Sequence, residues 1–218
     1  TPWDAGGRFI TISQDKSLKV YDGESFETLS EKAGLHSMGI NDFAFGEDGQ
    51  IITCSSDRSV KTWKINEKTL DEQRVLNLSA FDAEGLKDNV EKQQLGVLTE
   101  SEKIYSVQCN SDINVWAPDS EVPTTIRGHS NNVTKVINFN DKFMISGDQD
   151  GRVLCWNLES GSATRPVGVY KLPIGVQALA CNSQFVYAGS ADMNVMQFKM
   201  GENGLESVGE LKKKHSSV

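Results

Sequence analysis

Short runs of β-branched and aromatic residues, each closed by Gly, Asp, Asn or Ser, recur along most of the chain. Phe9-Ile10-Thr11-Ile12, Ile51-Ile52-Thr53-Cys54 and Phe143-Met144-Ile145-Ser146 have the composition and length of strands. A polar turn follows, and a second strand continues through Leu18/Val20, Val60/Thr62, Ile113/Val115, Val153/Cys155 and Val195/Gln197 to an aromatic residue. Further strands are predicted ahead of these pairs at Ile40–Phe45, Val133–Phe139 and Val176–Cys181, separated by turns such as Gly46-Glu47-Asp48-Gly49. No segment of 12 or more residues holds a convincing helical period, and the best helical candidate is the insertion near 66–92.

The strand pairs are copies of one unit. TISQDKSLKVYD from Thr11, TCSSDRSVKTWK from Thr53, SVQCNSDINVWA from Ser106, SGDQDGRVLCWN from Ser146 and AGSADMNVMQFK from Ala188 align without gaps. Each places Asp or Asn four positions after a small residue and an aromatic six positions later. The turn residues are Asp15, Asp57, Asn110, Asp150 and Asp192, and the aromatics are Tyr21, Trp63, Trp116, Trp156 and Phe198; both sets are spaced by 42, 53, 40 and 42 residues. Two independent markers in one register identify a true repeat. The 53-residue interval holds extra residues within Asn66–Lys92, dense in Glu, Asp and Lys, which read as a long loop or a partner-binding loop.

Three or four short strands per unit with a near-terminal Trp is the arithmetic of a β-propeller blade. The unit from Gly128-His129-Ser130 through Ser146-Gly147-Asp148-Gln149-Asp150 to Trp156-Asn157 resembles the WD-repeat family, differing from its Trp-Asp ending only by Asn157. The other units are more degenerate: His36 lacks the preceding Gly, the third unit has no His, and the fifth has Ala188 and Phe198 for Ser and Trp. The resemblance implies an all-β WD-repeat β-propeller of about five four-stranded blades, with units near 1–35, 36–92, 93–127, 128–172 and 173–214, and a further one beginning at His215. It also implies a buried tetrad of loop His, strand Ser or Thr, turn Asp and strand Trp, the kind of fully connected network that holds one geometry. Two complete sets are expected, His36–Thr53–Asp57–Trp63 and His129–Ser146–Asp150–Trp156, with the same His-to-Trp separation of 27 residues.

Composition narrows the function. The chain has 218 residues, 22 basic and 30 acidic, for a net charge of −8. That balance argues against nucleic-acid binding, which needs clustered Lys and Arg. No window reaches the ~20 apolar residues of a membrane span, and no signal-peptide pattern opens the chain. The chain begins and stops mid-unit, so we expect part of a larger seven-bladed or tandem propeller rather than five units closed on themselves. The four cysteines, Cys54, Cys109, Cys155 and Cys181, form no C-x2-C pair and read as reduced, mostly buried thiols of a cytosolic protein.

Each complete unit contains the Ser/Thr, His and Asp of a hydrolase triad, but the set recurs at repeat spacing, where catalysis needs one site. No catalytic residue, cofactor or metal is therefore assigned, and His36, His129 and His215 fall at matching positions of different blades. Lys212-Lys213-Lys214 reads as a solvated surface run, and Trp3 is in a degenerate position. The residues before the turn Asp and after the His are expected on a partner-binding rim: Gln14, Ser56, Cys109, Gln149 and Ala191, with Ser37, Met38, Asn131 and Asn132. They are mostly small and polar, which fits a protein–protein contact.

One stretch narrows the resemblance. Gln93-Gln94-Leu95-Gly96-Val97-Leu98, Ile104-Tyr105-Ser106-Val107, Ile113-Asn114-Val115-Trp116 and Ile126-Arg127-Gly128-His129-Ser130 together look like the actin-interacting protein 1 family. The similarity runs over roughly residues 8–165. That family has two WD propellers in tandem and works with cofilin to disassemble actin filaments. The resemblance implies a non-enzymatic scaffold, cytoplasmic and cytoskeleton-associated, with actin and cofilin as partners; a generic WD adaptor in another cytosolic complex is the alternative.

Overall fold

The computed structural model describes residues 7–46, 49–66, 69–78, 90–140, 142–158, 165–201 and 204–211. Trp3, Lys212–Lys214 and His215 lie outside the described residues. The strands pair in chain order into antiparallel sheets without crossovers. The first sheet is β1 (Phe9–Ile12), β2 (Leu18–Tyr21) and β3 (Thr28–Lys32). The second is β4 (Ile40–Phe45), β5 (Ile51–Ser55), β6 (Ser59–Asn66) and β7 (Thr69–Asn77). The third is β8 (Gln94–Glu100), β9 (Lys103–Gln108), β10 (Ile113–Trp116) and β11 (Thr124–Ile126). The fourth is β12 (Val133–Phe139), β13 (Phe143–Asp148), β14 (Arg152–Asn157) and β15 (Gly168–Lys171). The fifth is β16 (Val176–Cys181), β17 (Phe185–Ser190), β18 (Val195–Gly201) and β19 (Gly204–Leu211). Four sheets thus have four strands, and the first shows three among the described residues.

The insertion is where the sequence reading needs correction. Its helical candidate is instead β7 over Thr69–Asn77, the outer strand of the second sheet, followed by a single 3-10 turn at Val90–Lys92. Pairing with β6 decides this: Val60 faces Leu76 and Ile65 faces Leu70, so both leucines of β7 are buried although the strand between them is mostly polar and Val75 is exposed. Residues 79–89 of the insertion lie outside the described residues.

The chain divides into two compact units, Thr1–Ser106 with Trp116–Pro123, and Val107–Val115 with Thr124–Val218. In the first, the alternation of the second sheet sends its side chains to two different cores. Ile51, Trp63 and Leu70 pack with Ile10, Leu18, Val20, Leu35 and Ile40. Ile52, Cys54, Val60 and Leu76 pack instead with Val97, Ile104 and Trp116. A central strand buried on both faces reads as a continuous apolar run, which is why Ile51-Ile52-Thr53-Cys54 shows no polar alternation. In the second unit, Ile145, Val153 and Cys155 of the fourth sheet meet Val186, Ala188 and Phe198 of the fifth. Trp63, Trp116 and Trp156 are all fully buried, and truncating any of them would cost about 3–5 kcal/mol.

The turn between the second and third predicted strands of each unit has one geometry throughout. Lys16, Arg58, Ser111, Gly151 and Met193 all have positive φ, between 69° and 88°. They are the residues directly after Asp15, Asp57, Asn110, Asp150 and Asp192, so a left-handed residue closes every copy of the turn. Only Gly151 has no Cβ to strain. The other four turns are held by the preceding side chain, which accepts from the backbone N–H two residues on: Ser17 N to Asp15 at 2.9 Å, Ser59 N to Asp57 at 3.0 Å, Asp112 N to Asn110 at 3.0 Å and Asn194 N to Asp192 at 3.3 Å. Such Asx turns are a device by which Asp and Asn stabilise tight turns.

Candidate partner-binding rim and the networks behind it

In the second sheet, His36, Thr53, Asp57 and Trp63 come together. The Trp63 indole N–H donates to Thr53 Oγ1 at 2.9 Å, and the same hydroxyl lies 2.8 Å from His36 Nε2. His36 Nδ1 faces Asp57 Oδ2 at 3.0 Å and Ser59 Oγ at 3.0 Å. Burial alone would raise the Asp57 carboxyl, but the hydrogen bonds from His36, Ser59 and the Ser37 backbone N–H hold it well below the usual carboxylate range. Asp57 thereby ties the loop bearing His36 to the turn after β5.

The fourth sheet builds a similar network with a different carboxylate. Trp156 Nε1 donates to Ser146 Oγ at 2.7 Å, and His129 Nε2 lies 2.6 Å from that oxygen. His129 Nδ1 faces Asp148 Oδ2 at 2.7 Å, where Asp150 was expected. Asp148 is the last residue of β13 and is fully buried; its other oxygen accepts the backbone N–H groups of Asp150 at 3.0 Å and Arg152 at 2.9 Å. Asp150 is displaced outward, accepting from Ser130 Oγ at 3.2 Å and Asn131 Nδ2 at 2.9 Å. The reason is the position occupied two residues after the hydroxyl. In the second sheet it holds Ser55, whose hydroxyl turns to the Gly39 carbonyl at 2.8 Å; in the fourth it holds a carboxylate that can reach both the turn and the imidazole. Burial lowers the His129 pKa below its ordinary value against the opposing pull of Asp148, so the ring is neutral at pH 7. Its Nδ1–H then donates to Asp148, and Nε2 takes the Ser146 proton.

The remaining units are partial. In the third, Trp116 Nε1 donates to Ser106 Oγ at 2.9 Å. In the fifth, hydroxyl and indole are both replaced, by Ala188 and Phe198, each fully buried, with the Phe198 ring edge-on to Tyr170 at 4.8 Å. Replacing both members of a buried pair leaves nothing unpaired, which is the tolerable way to lose a hydrogen bond. In the first, Tyr21 stacks on Phe9 at 4.9 Å.

None of these Ser/Thr–His–Asp sets can act as a nucleophilic site. Thr53 and Ser146 are fully buried, and their hydroxyls already serve an indole and an imidazole. The cysteines are free. Burial pushes the thiols of Cys54 well above, and of Cys155 up to about 12 from, the ordinary value. Cys109 is half-buried and Cys181 is exposed, so the expectation of mostly buried thiols holds for only two of the four.

The rim residues are assembled in two groups. In the first unit, Gln14 donates to Asn41 Oδ1 at 3.1 Å, and Asn41 Nδ2 donates to Ser56 Oγ at 3.0 Å and to the Gln94 carbonyl at 2.7 Å. Ser37 donates its backbone N–H to Asp57 at 2.9 Å, and beside it Met38 stands 47% exposed. In the second unit, Asn131 binds Asp150, and the Asn132 carbonyl accepts the Gln149 N–H at 3.0 Å. Ala191 donates its N–H to the Gly175 carbonyl at 3.0 Å. Cys109 belongs to the turn that carries Asn110, at the end of β9. The turn carboxylates are held below the usual range by local donors: Ser17 for Asp15, Asn131 for Asp150 and Ser190 for Asp192.

Asn41 escaped the sequence reading, as did Thr134. Each is the second residue of an inner strand, and each ties its sheet to the next: Asn41 to the Gln94 carbonyl and Thr134 to the Val176 carbonyl, both at 2.7 Å. The available signal was a polar residue directly after the apolar residue, Ile40 or Val133, that opens the strand.

A family model described as WD domain, G-beta repeat matches residues 32–64 and 120–157. The chain carries WD repeats. They cover the two units with complete networks. Actin-interacting protein 1 of Drosophila melanogaster is 26% identical over 204 residues, covering 91% of this chain and 32% of its own. WD repeat-containing protein 1 of Gallus gallus is 28% identical over 165 residues, 72% of this chain and 25% of its own. The 66 kDa stress protein of Physarum polycephalum is 30% identical over 189 residues, 83% of this chain and 30% of its own. The chain thus spans between a quarter and a third of the length of these relatives. Among solved structures, U3-55K and the RRP9 WD40 repeats each superpose with a TM-score of 0.76 at 21% identity, over 94% of this chain and 63% of theirs, a likeness of fold. The sheets are therefore blades of a WD-repeat propeller. Among the described residues, no helix is long and apolar enough to cross a membrane.

Proposed function

We propose that this chain is a non-enzymatic protein-interaction scaffold that takes part in cofilin-dependent disassembly of actin filaments, in the cytoplasm and at the cytoskeleton. The observation that carries the reading is the similarity to actin-interacting protein 1 along 91% of the chain. The geometry supports a binding rather than a chemical role. The Ser/Thr–His–Asp sets are consumed inside the blades, and the rim offers small polar side chains whose backbone is pinned by Asx turns and by Gln14, Asn41 and Asp150. A rim held in place before a partner arrives loses little conformational entropy on binding.

Co-sedimentation with actin filaments, with and without cofilin, tests it. Pelleting that requires cofilin is the expected result. If the compact chain stays in the supernatant in both, the actin reading fails, and the WD repeats that match residues 32–64 and 120–157 then serve an adaptor role in another complex.

A further inference from the structure

The blade interface in the first unit changes character along its length. On the face of the second sheet turned to Val97, Ile104 and Trp116, the row Cys54–Val60–Leu76 is fully apolar and buried. One row along, the cross-strand partners are Ile52, Thr62 and Arg74. Polar residues there leave a groove of about 720 Å³ instead of a packed core. Its walls come from β6 and β7, from the β4–β5 turn, from the β8–β9 turn at Ser101-Glu102, and from Pro118 after β10. In an antiparallel meander successive turns fall at opposite ends of the strands. The groove therefore opens at the end of the second sheet away from Ser56, Asp57 and the expected rim.

Three features mark it as a binding site. Thr62 is 2% exposed, it lines the groove, and its hydroxyl has no hydrogen-bond partner among the described residues. A buried hydroxyl without a partner is destabilising and rare in native structures. Lys64, Arg74 and Lys103 all border the groove. The Arg74 guanidinium is anchored through one nitrogen, Nη2, on the carbonyls of Ala117, at 2.9 Å, and Ser120. Phe45 and Ile104 supply apolar lining. Glu100 and Glu102 share the β8–β9 wall with Lys103, across from Lys64 and Arg74 of the second sheet, so the cations exceed the anions by one and a polyacidic run is disfavoured. We infer that this groove binds an extended partner peptide through an acidic side chain set against Lys64, Arg74 and Lys103, with a peptide backbone group satisfying the Thr62 hydroxyl. An aromatic or aliphatic neighbour in the peptide packs on Phe45 and Ile104. The site is separate from the rim and does not depend on actin.

The test is fluorescence anisotropy of the full chain with a fluorescein-labelled peptide, Gly-Ser-Asp-Phe-Asp-Ser-Gly-amide, against the same peptide with both Asp replaced by Asn. The acidic peptide is expected to bind in the micromolar to submillimolar range and at least about tenfold more tightly than the Asn peptide at low salt, with the difference shrinking as salt rises. Lys64→Glu with Lys103→Glu, both at the groove mouth, should abolish the preference. Thr62→Val should weaken binding roughly threefold or more without lowering the melting temperature. Equal binding of the two peptides, an unchanged affinity in the double Lys variant, or full competition by free glutamate at the peptide concentration would each overturn the proposal. Actin co-sedimentation does not enter any of these outcomes, so this groove and the actin reading stand or fall separately.

Discussion

Asp148 Oδ2 lies 2.7 Å from His129 Nδ1, and both side chains are sealed from solvent. The pair joins the loop before β12 to the end of β13, and through Ser146 it reaches Trp156 at the centre of the blade. Removing Asp148 would orphan the imidazole N–H and two backbone N–H groups at once. Asp148→Ala should therefore destabilise the chain by about 3 kcal/mol or more, since each buried donor left unpaired costs about 1–3 kcal/mol. Asp150→Ala removes only bonds to Ser130 and Asn131 and should cost under about 1 kcal/mol. Urea unfolding of the two variants checks this, and equal losses would return the turn Asp to the network.

The same pair sets a pH dependence. Burial depresses the His129 pKa in the folded chain below its ordinary 6.5. The unfolded chain then binds more protons below that value, so stability is full above pH ~6.5 and falls as the pH drops toward the folded pKa. Asp57 is also depressed, from an ordinary 3.8, so its contribution is full above that value and is lost only in stronger acid. The urea midpoint should decline between pH 7 and 5, and His129→Gln should flatten part of that decline. An identical slope in the variant would remove His129 as its source.

Gly128 explains the Gly-His opening of the fourth unit. A Cβ there would lie 2.6 Å from the Trp156 ring, which is itself held by Ser146 and cannot retreat. Gly128→Ala should cost about 1–3 kcal/mol by overpacking. Thermal unfolding with Trp fluorescence would detect both the loss and any shift of the indole; an unchanged melting temperature would contradict the contact.

The left-handed turn position predicts opposite effects in two blades. Met193, at φ 69°, carries a Cβ in a region that favours glycine. Met193→Gly should stabilise by about 0.5–1 kcal/mol, strain relief outweighing the added freedom of the unfolded chain. Gly151 has φ 88°, and a Cβ there would lie 2.5 Å from the Ile174 carbonyl oxygen, so Gly151→Ala should destabilise by more than about 1 kcal/mol. Chemical denaturation of both variants compares the signs directly.

The repeat itself determined most of the architecture. Val133–Phe139 and Ile40–Phe45 are strands because β-branched and aromatic runs bounded by turn residues have few other ways to bury themselves, and a local pattern suffices to say so. The spacing of Asp15, Asp57, Asn110, Asp150 and Asp192 likewise marked five copies of one turn. What depended on partners distant in the chain was not legible. Thr69–Asn77 is polar at most positions and becomes a strand because β6 offers an edge and two apolar neighbours. Asp148 and Asp150 are chemically identical in the sequence; only the direction each side chain takes at the end of β13 decides which one meets His129. Asn41 and Thr134 gain their roles from carbonyls 53 and 42 residues away. Thr62 sits in a row where the local pattern permits either a buried apolar residue or a polar one, and the groove exists only because Arg74 and the β8–β9 turn are brought beside it. Local periodicity specifies the strands because it acts between near neighbours, whereas hydrogen-bond partners and cavities are set by atoms that only the folded chain brings within reach.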